Sequence, residues 1–446
     1  MTSALPGSAE VLVLGAGLSG LAAATRLAAR GVDVHLVDAG DAAGGPIRTV
    51  AIDGYRFEGG PNSIRGGGAA MTALIAAAGL LDQRTIASPL AKDRWIYHGG
   101  VHRVNGPKDL FGGNLLTPGG RARLLSEPFR RAWKGPRDAT ISAFIADRLG
   151  PEVVERLLEP AITGIFAGDP GDLELPALKM VAILAEHGGI IRGMKYLPRD
   201  KAQILSFAGG LQSLPRALGD HLGARLHLGV TVSALARDAD AWQVDTSHGT
   251  VRAKTIVCAI PAPATARLLA AGSVGSSNGA ALDALASLPM ASVATVGLGL
   301  RDSDLARPAS GFGLLIAPRT PLGRVQGLVF ASSIFPDRAP PGRSAVTAII
   351  GGVRAPDAVG LDDAALIAEA TSALQKTHGL SNDPEVAVVH RWPRAIAQYR
   401  PGHAAAVRAL RAALPRTFIL AGSGFDGVGL ADAVTSGYAA ADAASN

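Results

Sequence analysis

The segment that most restricts the fold is Glu10-Val-Leu-Val-Leu-Gly15-Ala-Gly17-Leu18-Ser19-Gly20. Its apolar run, Val11–Leu14, is short and has no polar position, as a parallel strand covered on both faces requires. Glycines then lead into an alanine-rich helical stretch, Leu21–Arg30, which Gly31 ends in the C-cap position. A second strand, Val32–Val37, closes on Asp38. The whole is a βαβ unit with G-x-G-x-x-G at its first turn. Gly15 permits the tight turn, Gly17 lets the backbone approach a pyrophosphate, and Gly20 lets helix and strand pack closely. The amides at the helix start, at Leu18 and Ser19, face the phosphates. Asp38, followed by Ala39, can accept the hydrogen bonds of a ribose diol, where a basic residue would have suited a 2′-phosphate.

Three further segments decide which dinucleotide is meant. Asp41-Ala-Ala-Gly44-Gly45-Pro-Ile-Arg48 follows the second strand directly. A glycine pair with an arginine suits a cofactor that continues past its pyrophosphate, as FAD does. Phe57-Glu-Gly-Gly60-Pro61-Asn62-Ser63 offers a backbone that can lie along a ribityl chain or a flavin ring. Near the C-terminus, Gly422-Ser423-Gly-Phe-Asp-Gly-Val428-Gly429-Leu430 precedes a last helix. Its N-terminus can stabilise the charge that develops at the flavin N1–C2=O edge on reduction. The segments together predict FAD rather than NAD.

Composition excludes several other classes. With 446 residues there is room for two or three domains. Hydrophobic residues at 48% and charged residues at 18% rule out a disordered chain. Cys258 is the single cysteine, which excludes an internal disulfide framework and suits a reducing compartment. Met1–Glu10 lacks the basic start of a secretory signal, and no stretch reaches the roughly 18–20 apolar residues of a spanning helix. A net charge of +6 calls for acidic partners, but 4% aromatics without basic–aromatic interleaving argue against nucleic acid. No metal site is read from the chain.

The expected fold is α/β, with a Rossmann-type FAD-binding domain drawn from residues 1–85, 206–270 and 386–446. A mostly helical lobe spans 86–205 and an α+β substrate domain 271–385. Within the lobe, Arg121, Arg123, Arg130, Arg131, Lys134 and Arg137 interleave with Leu124, Leu125, Phe129 and Trp133. At helical spacing this stretch would put the apolar side chains into a bilayer interface, and its plain alternative is a solvated basic face.

Through nearly its whole length the sequence resembles the FAD-dependent protoporphyrinogen oxidases, within the monoamine-oxidase-like flavoproteins. The likeness rests on Gly44-Gly45, on Gly60-Pro-Asn-Ser63, and on Glu159-Pro-Ala-Ile-Thr-Gly164-Ile-Phe-Ala167-Gly-Asp169. It continues through Phe207–Pro215, Gly311–Pro318, Phe335–Pro340, Arg391-Trp392-Pro393 with Gln398-Tyr399, and Gly427-Val-Gly-Leu430. The resemblance implies a six-electron oxidation of a porphyrinogen to its porphyrin in haem synthesis, by hydride transfer to FAD. Oxygen would be the acceptor and hydrogen peroxide the by-product. It also implies a narrow apolar cleft, a basic anchor for the propionates and, in many members, a membrane surface.

Carried over residue by residue, Val232 would meet the adenine through its backbone, and Trp392 would lie at the cofactor. Gly164, with Ala167 near it, would lie over the flavin. Arg65 falls where some members bind a propionate, and a guanidinium offers a carboxylate a bidentate fork. Ile316, Val329 and Ile349 would wall the macrocycle. Two positions depart from the pattern: Ile349 stands where some members have an aromatic residue, and Ser423 where Asp or Asn is common. The family has no agreed side-chain base, and His187, His390 and His403 qualify only by residue type. Hydride loss leaves a cation that sheds its proton easily.

Coproporphyrinogen III, with four propionates rather than two, is the nearest alternative substrate, and a more basic cleft would favour it. An amine oxidase of the same fold typically carries a lysine that holds a water at flavin N5, and this chain has no lysine between Lys254 and Lys376. A carotenoid-desaturase-like activity fits Gly164–Asp169 less well, and a non-catalytic flavin-binding protein would not turn over with oxygen. The expected location is cytoplasmic or peripheral on the inner face of the cell membrane, and the expected state is a monomer or a homodimer.

Overall fold

The βαβ unit forms as β1 (Ser8–Leu14), α1 (Leu18–Ala29) and β2 (Val34–Asp38) in a computed structural model that describes residues 4–66, 68–198, 203–238, 240–272 and 279–445. β1 pairs in parallel with β2 on one side and with Gly249–Cys258 on the other, with Leu12 opposite Ile256. Leu226–Leu228 continues the sheet beyond β2, and Phe418–Leu420 pairs with Gly249–Cys258, both in parallel. Val232–Asp238 and Ala241–Thr246 add an antiparallel hairpin. One sheet thus draws strands from stretches far apart in the chain. Val11 and Val13 pack under α1 and the C-terminal helix Leu430–Ala444, while Leu12 and Leu14 join the cluster around Trp242 and Phe418. Both faces are covered, and this is why the run has no polar position.

The two helices over this sheet approach closely. A Cβ on Gly20 would stand 1.8 Å from the Gly15 carbonyl oxygen, and one on Gly437 would stand 2.2 Å from that of Ser19. The C-terminal helix therefore lies directly against the start of α1.

A second seven-stranded sheet runs, in spatial order, Val386–Ala397, Met290–Arg301, Arg343–Gly351, Val325–Val329, Gly313–Ile316, Arg94–Tyr97 and Val101–Arg103. Helix Asp363–His378 covers one face, burying Leu366 and Leu374 with Leu298, Val346 and Ile350. The opposite face turns toward the loops of the first sheet, where Phe57 and Tyr55 lie against Gly297 and Gly299. Two strands of this sheet, Arg94–Tyr97 and Val101–Arg103, come from the stretch expected to be mostly helical. Trp95, Ile96 and Tyr97 suit a pleated edge, and pairing there satisfies backbone groups of Gly313–Ile316. Val386–Ala397, at the head of the stretch assigned to the FAD-binding domain, also lies here, pairing along most of its length with Met290–Arg301.

Residues 119–137 do not form one helix. Helix Pro118–Leu125 stops ahead of Pro128, which can neither donate to the preceding turn nor leave its predecessor free to stay helical. Leu124 and Trp133 pack inward, Trp133 edge-on to Phe144 at 5.5 Å, whereas Leu125 and Phe129 remain exposed. The expected apolar stripe is therefore split. Buried Glu127 holds this lobe, accepting from Arg148 Nε at 3.2 Å and from the amides of Ile190 and Ile191 at 2.8 and 3.2 Å. Among the described residues, no helix is long and apolar enough to cross a membrane.

Candidate active site

The loops at the carboxyl ends of the first sheet converge with the open face of the second. Gly15 sits at φ +101° with its amide bonded to the Val37 carbonyl at 2.8 Å. Gly17 caps α1 without any side-chain acceptor, Leu18 and Ser19 begin the helix, and no acid stands in its first turn. The helix start therefore keeps unpaired donors and its positive end for an anion. A Cβ at Gly17 would meet nothing within 4 Å, and one at Gly45 would come only to within 3.9 Å of Gly17 Cα. Gly44 is closed in instead, its amide on the Ala16 carbonyl at 2.8 Å and its missing side chain replaced by Pro215. This cradle fits a pyrophosphate.

Asp38 serves the cradle from the end of β2. Its carboxylate accepts from the Ala16 amide at 2.6 Å and the Gly40 amide at 2.7 Å. Each oxygen keeps a second lone pair, so a ribose hydroxyl can still be held. The amide of Val230 bonds to the Asp38 carbonyl at 2.8 Å, which brings the head of the strand beginning at Val232 to this end. Ala39 is exposed beside it. Arg48 is not an open cation: its guanidinium folds back on the carbonyls of Ala42, Ala43 and Ile47 at 3.1–3.3 Å, shaping the loop that carries Gly44 and Gly45.

Gly59 and Gly60 are fixed from both sheets. The Gly59 carbonyl accepts from Trp392 Nε1 at 2.6 Å and Thr295 Oγ1 at 2.7 Å, and a Cβ on Gly60 would fall 2.2 Å from the Pro46 carbonyl oxygen. After it come Pro61, Asn62 and Ser63; Asn62 donates to the Gly60 carbonyl, and its buried Oδ1 has no partner among the described residues. Beneath the loop, Glu58 accepts from Leu211 N at 2.9 Å and Thr49 Oγ1 at 2.6 Å, with Arg338 Nη2 at 3.7 Å. Burial pushes the Glu58 carboxyl above the usual carboxylate range and holds the Arg338 guanidinium below its usual value. Desolvation thus outweighs attraction on both sides of the pair. In sequence Glu58 is one residue of a glycine-rich loop segment, with no local signal for its partner Arg338, 280 residues on.

At the far end, the amide of Gly422 bonds to Ser436 Oγ at 2.8 Å. The Tyr399 hydroxyl donates to the Ser423 carbonyl at 2.5 Å and accepts from the Gly427 amide at 3.0 Å. Val428 leads to Gly429, which caps the C-terminal helix at Leu430 without a side-chain acceptor. His403 stacks on Tyr399 at 4.2 Å, and burial holds its ring at about 4. His390 lies against Gly59, depressed by burial and then by Arg48, while His187 stacks on Tyr196 in the helical lobe.

Of the residues expected to wall a substrate, the structure brings some together and moves others. A Cβ on Gly164 would stand 2.6 Å from Leu315 Cδ2, and a Cβ on Gly327 would stand 3.7 Å from the same carbon. Ile349 pairs with Gly327 across the sheet, and Val329 is grouped with it. Ile316 is not on this face. It lies with Leu314 in the core under helix Asp363–His378, because successive strand residues point to opposite faces. Leu315, one residue earlier, takes the place expected of it. Ala167 is buried against Ala291 and Val293 at φ +47°, with its carbonyl on the Val353 amide at 2.8 Å, so it offers no open apolar surface. Its helix, Glu159–Phe166, follows a π turn over Val154–Leu158 that adjoins Pro160. Arg65 ends a short strand and lines a cavity of about 820 Å³ with Ile165, Lys179, Met180 and the Gly427–Gly429 loop.

A model of the flavin-containing amine oxidoreductases matches residues 18–445. The chain is 32% identical to protoporphyrinogen oxidase of Homo sapiens, covering 97% of each chain. It is 26% identical to coproporphyrinogen III oxidase of Bacillus subtilis, again over 97% of both. Among solved structures, a protein from Exiguobacterium sp. 255-15 with a provisional protoporphyrinogen oxidase name superposes with a TM-score of 0.84 at 25% identity, covering 98% of each chain. Cyclohexylamine oxidase from Brevibacterium oxydans shares the fold at a TM-score of 0.74 and 20% identity, again over 98% of both.

Proposed function

The chain belongs to the flavin-containing amine oxidoreductases as an FAD-dependent oxidase related to the protoporphyrinogen oxidases, and from that premise we propose that it oxidises protoporphyrinogen IX to protoporphyrin IX. The observation that carries the reading is the cavity of about 820 Å³ that joins the last helix start to exposed Ile165 and Met180 and has the Arg65 guanidinium on its lining. Apolar walls with a cation suit a macrocycle that is apolar in body and carboxylated at one side. The absence of lysine from 255 to 375 disfavours amine oxidation.

When bound, FAD supplies the hydride acceptor. Gly17 and Gly45 leave room for its pyrophosphate, and Asp38 has lone pairs for its ribose. Trp392 and Thr295 hold the Gly59 carbonyl, and Tyr399 holds Ser423 and Gly427 ahead of the last helix. Gly164, Leu315 and Ile349 form an apolar patch beside the helix that carries Ile165, and Arg65, on the cavity lining, pairs with a propionate. The overall change removes six electrons and six hydrogens, so one porphyrinogen consumes three oxygen molecules and yields three of hydrogen peroxide. Exposed Phe129 and Leu125, with Ile191 and Met194 also exposed and Arg130 and Arg131 next to Phe129, favour peripheral attachment to an anionic membrane.

The test is aerobic turnover of the FAD-loaded protein on protoporphyrinogen IX and coproporphyrinogen III in parallel, read by porphyrin fluorescence and peroxide release. Faster turnover of the first is expected. Faster turnover of the second would move the enzyme to the tetracarboxylate substrate, and turnover of neither would overturn porphyrinogen oxidation. Flotation with anionic liposomes checks the surface, and protein left at the bottom would refute it.

A further inference from the structure

Among the described residues, three cations line the cavity of about 820 Å³: Arg65, Lys179 and Arg411. Their partners differ. Arg411 is committed, with Nη2 at 2.8 and 2.9 Å from the two Asp426 oxygens and 3.3 Å from the Leu420 carbonyl. Arg65 is exposed and makes no ion pair among the described residues. Lys179 Nζ stands 2.6 Å from Asp432 Oδ1, with its side chain 64% exposed. Asp432 lies in the first turn of the C-terminal helix, where the helix end stabilises a carboxylate without help from a lysine. So exposed a pair is held weakly, and Lys179 can turn to another anion while Asp432 stays satisfied.

Resting on the porphyrinogen reading, we infer that Lys179 is the second carboxylate anchor of this cavity, and that Arg65 and Lys179 together fit it to a macrocycle with two acidic side chains rather than four. Met180 follows Lys179 and, like Ile165, is exposed at the cavity, so an apolar ring and a carboxylate can be met by neighbouring residues of one helix. The remaining charges lining the cavity are acids. Glu174 is occupied by the amides of Gly402 and Ala404, and Asp426 by Arg411 and Ser436. A third and fourth carboxylate would meet these acids with no free cation, among the described residues lining the cavity, to offset them.

The experiment compares FAD-loaded wild type, Lys179→Gln and Lys179→Arg on protoporphyrinogen IX and coproporphyrinogen III. For the dicarboxylate, Lys179→Gln is expected to raise KM about tenfold with kcat within about twofold, and Lys179→Arg to restore KM. Wild type is expected to favour the dicarboxylate by at least about tenfold in kcat/KM. Lys179 is exposed, so an unchanged melting temperature confirms that the variants fold. If wild type turns over but Lys179→Gln keeps its KM, the anchor is refuted and the porphyrinogen reading stands. If wild type oxidises neither porphyrinogen, that reading falls and the anchor with it.

Discussion

Arg338→Met removes the guanidinium that stands 3.7 Å from buried Glu58 while keeping most of the side-chain volume. Arg338, in the turn Pro336–Arg338, also donates to Ser206 Oγ at 2.6 Å and the Phe207 carbonyl at 3.2 Å, so that turn loses its polar tie to the strand Ile204–Phe207, which pairs with Ile64–Arg65. Breaking a buried pair by removing one partner costs about 3 kcal/mol or more. Unfolding entropy for a chain of 446 residues is about 0.9 kcal/mol/K, so the melting temperature should fall by about 3 °C. The dependence on pH separates this from simple loss of packing. Glu58 already titrates above its ordinary value because burial disfavours its charge, and loss of the nearby cation raises it further. The folded state then holds a proton that the unfolded state has released, so stability falls as pH rises through that window, by up to about 1.4 kcal/mol per pH unit. The variant should therefore lose more at pH 8 than at pH 5, as measured by urea unfolding of FAD-loaded protein. Glu58→Gln in the same background should abolish the pH dependence of that loss and recover about 1 kcal/mol or more. Equal losses at both pH values, or strict additivity of the two substitutions, would refute the reasoning.

Tyr399→Phe leaves the buried Gly427 amide unpaired and should cost about 1–3 kcal/mol, together with weaker flavin retention on gel filtration. Ile316→Ala should lower stability by about 2–5 kcal/mol with kinetics near wild type, whereas Leu315→Ala should change KM; the reverse pattern would place Ile316 in the cleft. Burial holds the rings of His378 and His403 at about 4, well below the ordinary imidazole value of about 6.5, so both stay neutral in the fold. The unfolded chain binds more protons between those values, and stability should fall as pH drops from about 6.5 to about 4. A flat urea-unfolding profile across that window would contradict the burial of both rings.

The parts legible in sequence are those in which backbone chemistry is local. Gly15, Gly17 and Gly20 lie within six residues and have separate tasks, and each can be read from its spacing because strand, turn and helix follow one another without interruption. The same holds for the uncapped start of the last helix at Gly429. Long-range pairing gives no such signal. The strands Arg94–Tyr97 and Val101–Arg103 look like turns within a helical stretch until the edge of Gly313–Ile316 provides their partner. The run from Arg121 to Arg137 reads as amphipathic by spacing, yet Pro128 divides it and tertiary packing draws Trp133 onto Phe144.

Side-chain roles fail at the same boundary. Ile316 and Leu315 are both apolar and adjacent, so composition cannot say which one faces the cleft. Only the register against Val325–Val329 and the helix covering the other face decide it, and a slip of one residue exchanges core for site. Arg48 looks like a ligand-binding cation beside its glycine pair, but three carbonyls of its own loop absorb its donors. Arg65 remains open for the converse reason, since its strand has only two residues and places it at an exposed rim. A charged residue near a glycine motif is thus a ligand candidate only after the donors and acceptors around it have been counted. By that count, Arg65 lines the cavity with no ion pair among the described residues, whereas Lys179 keeps an exposed pair with Asp432.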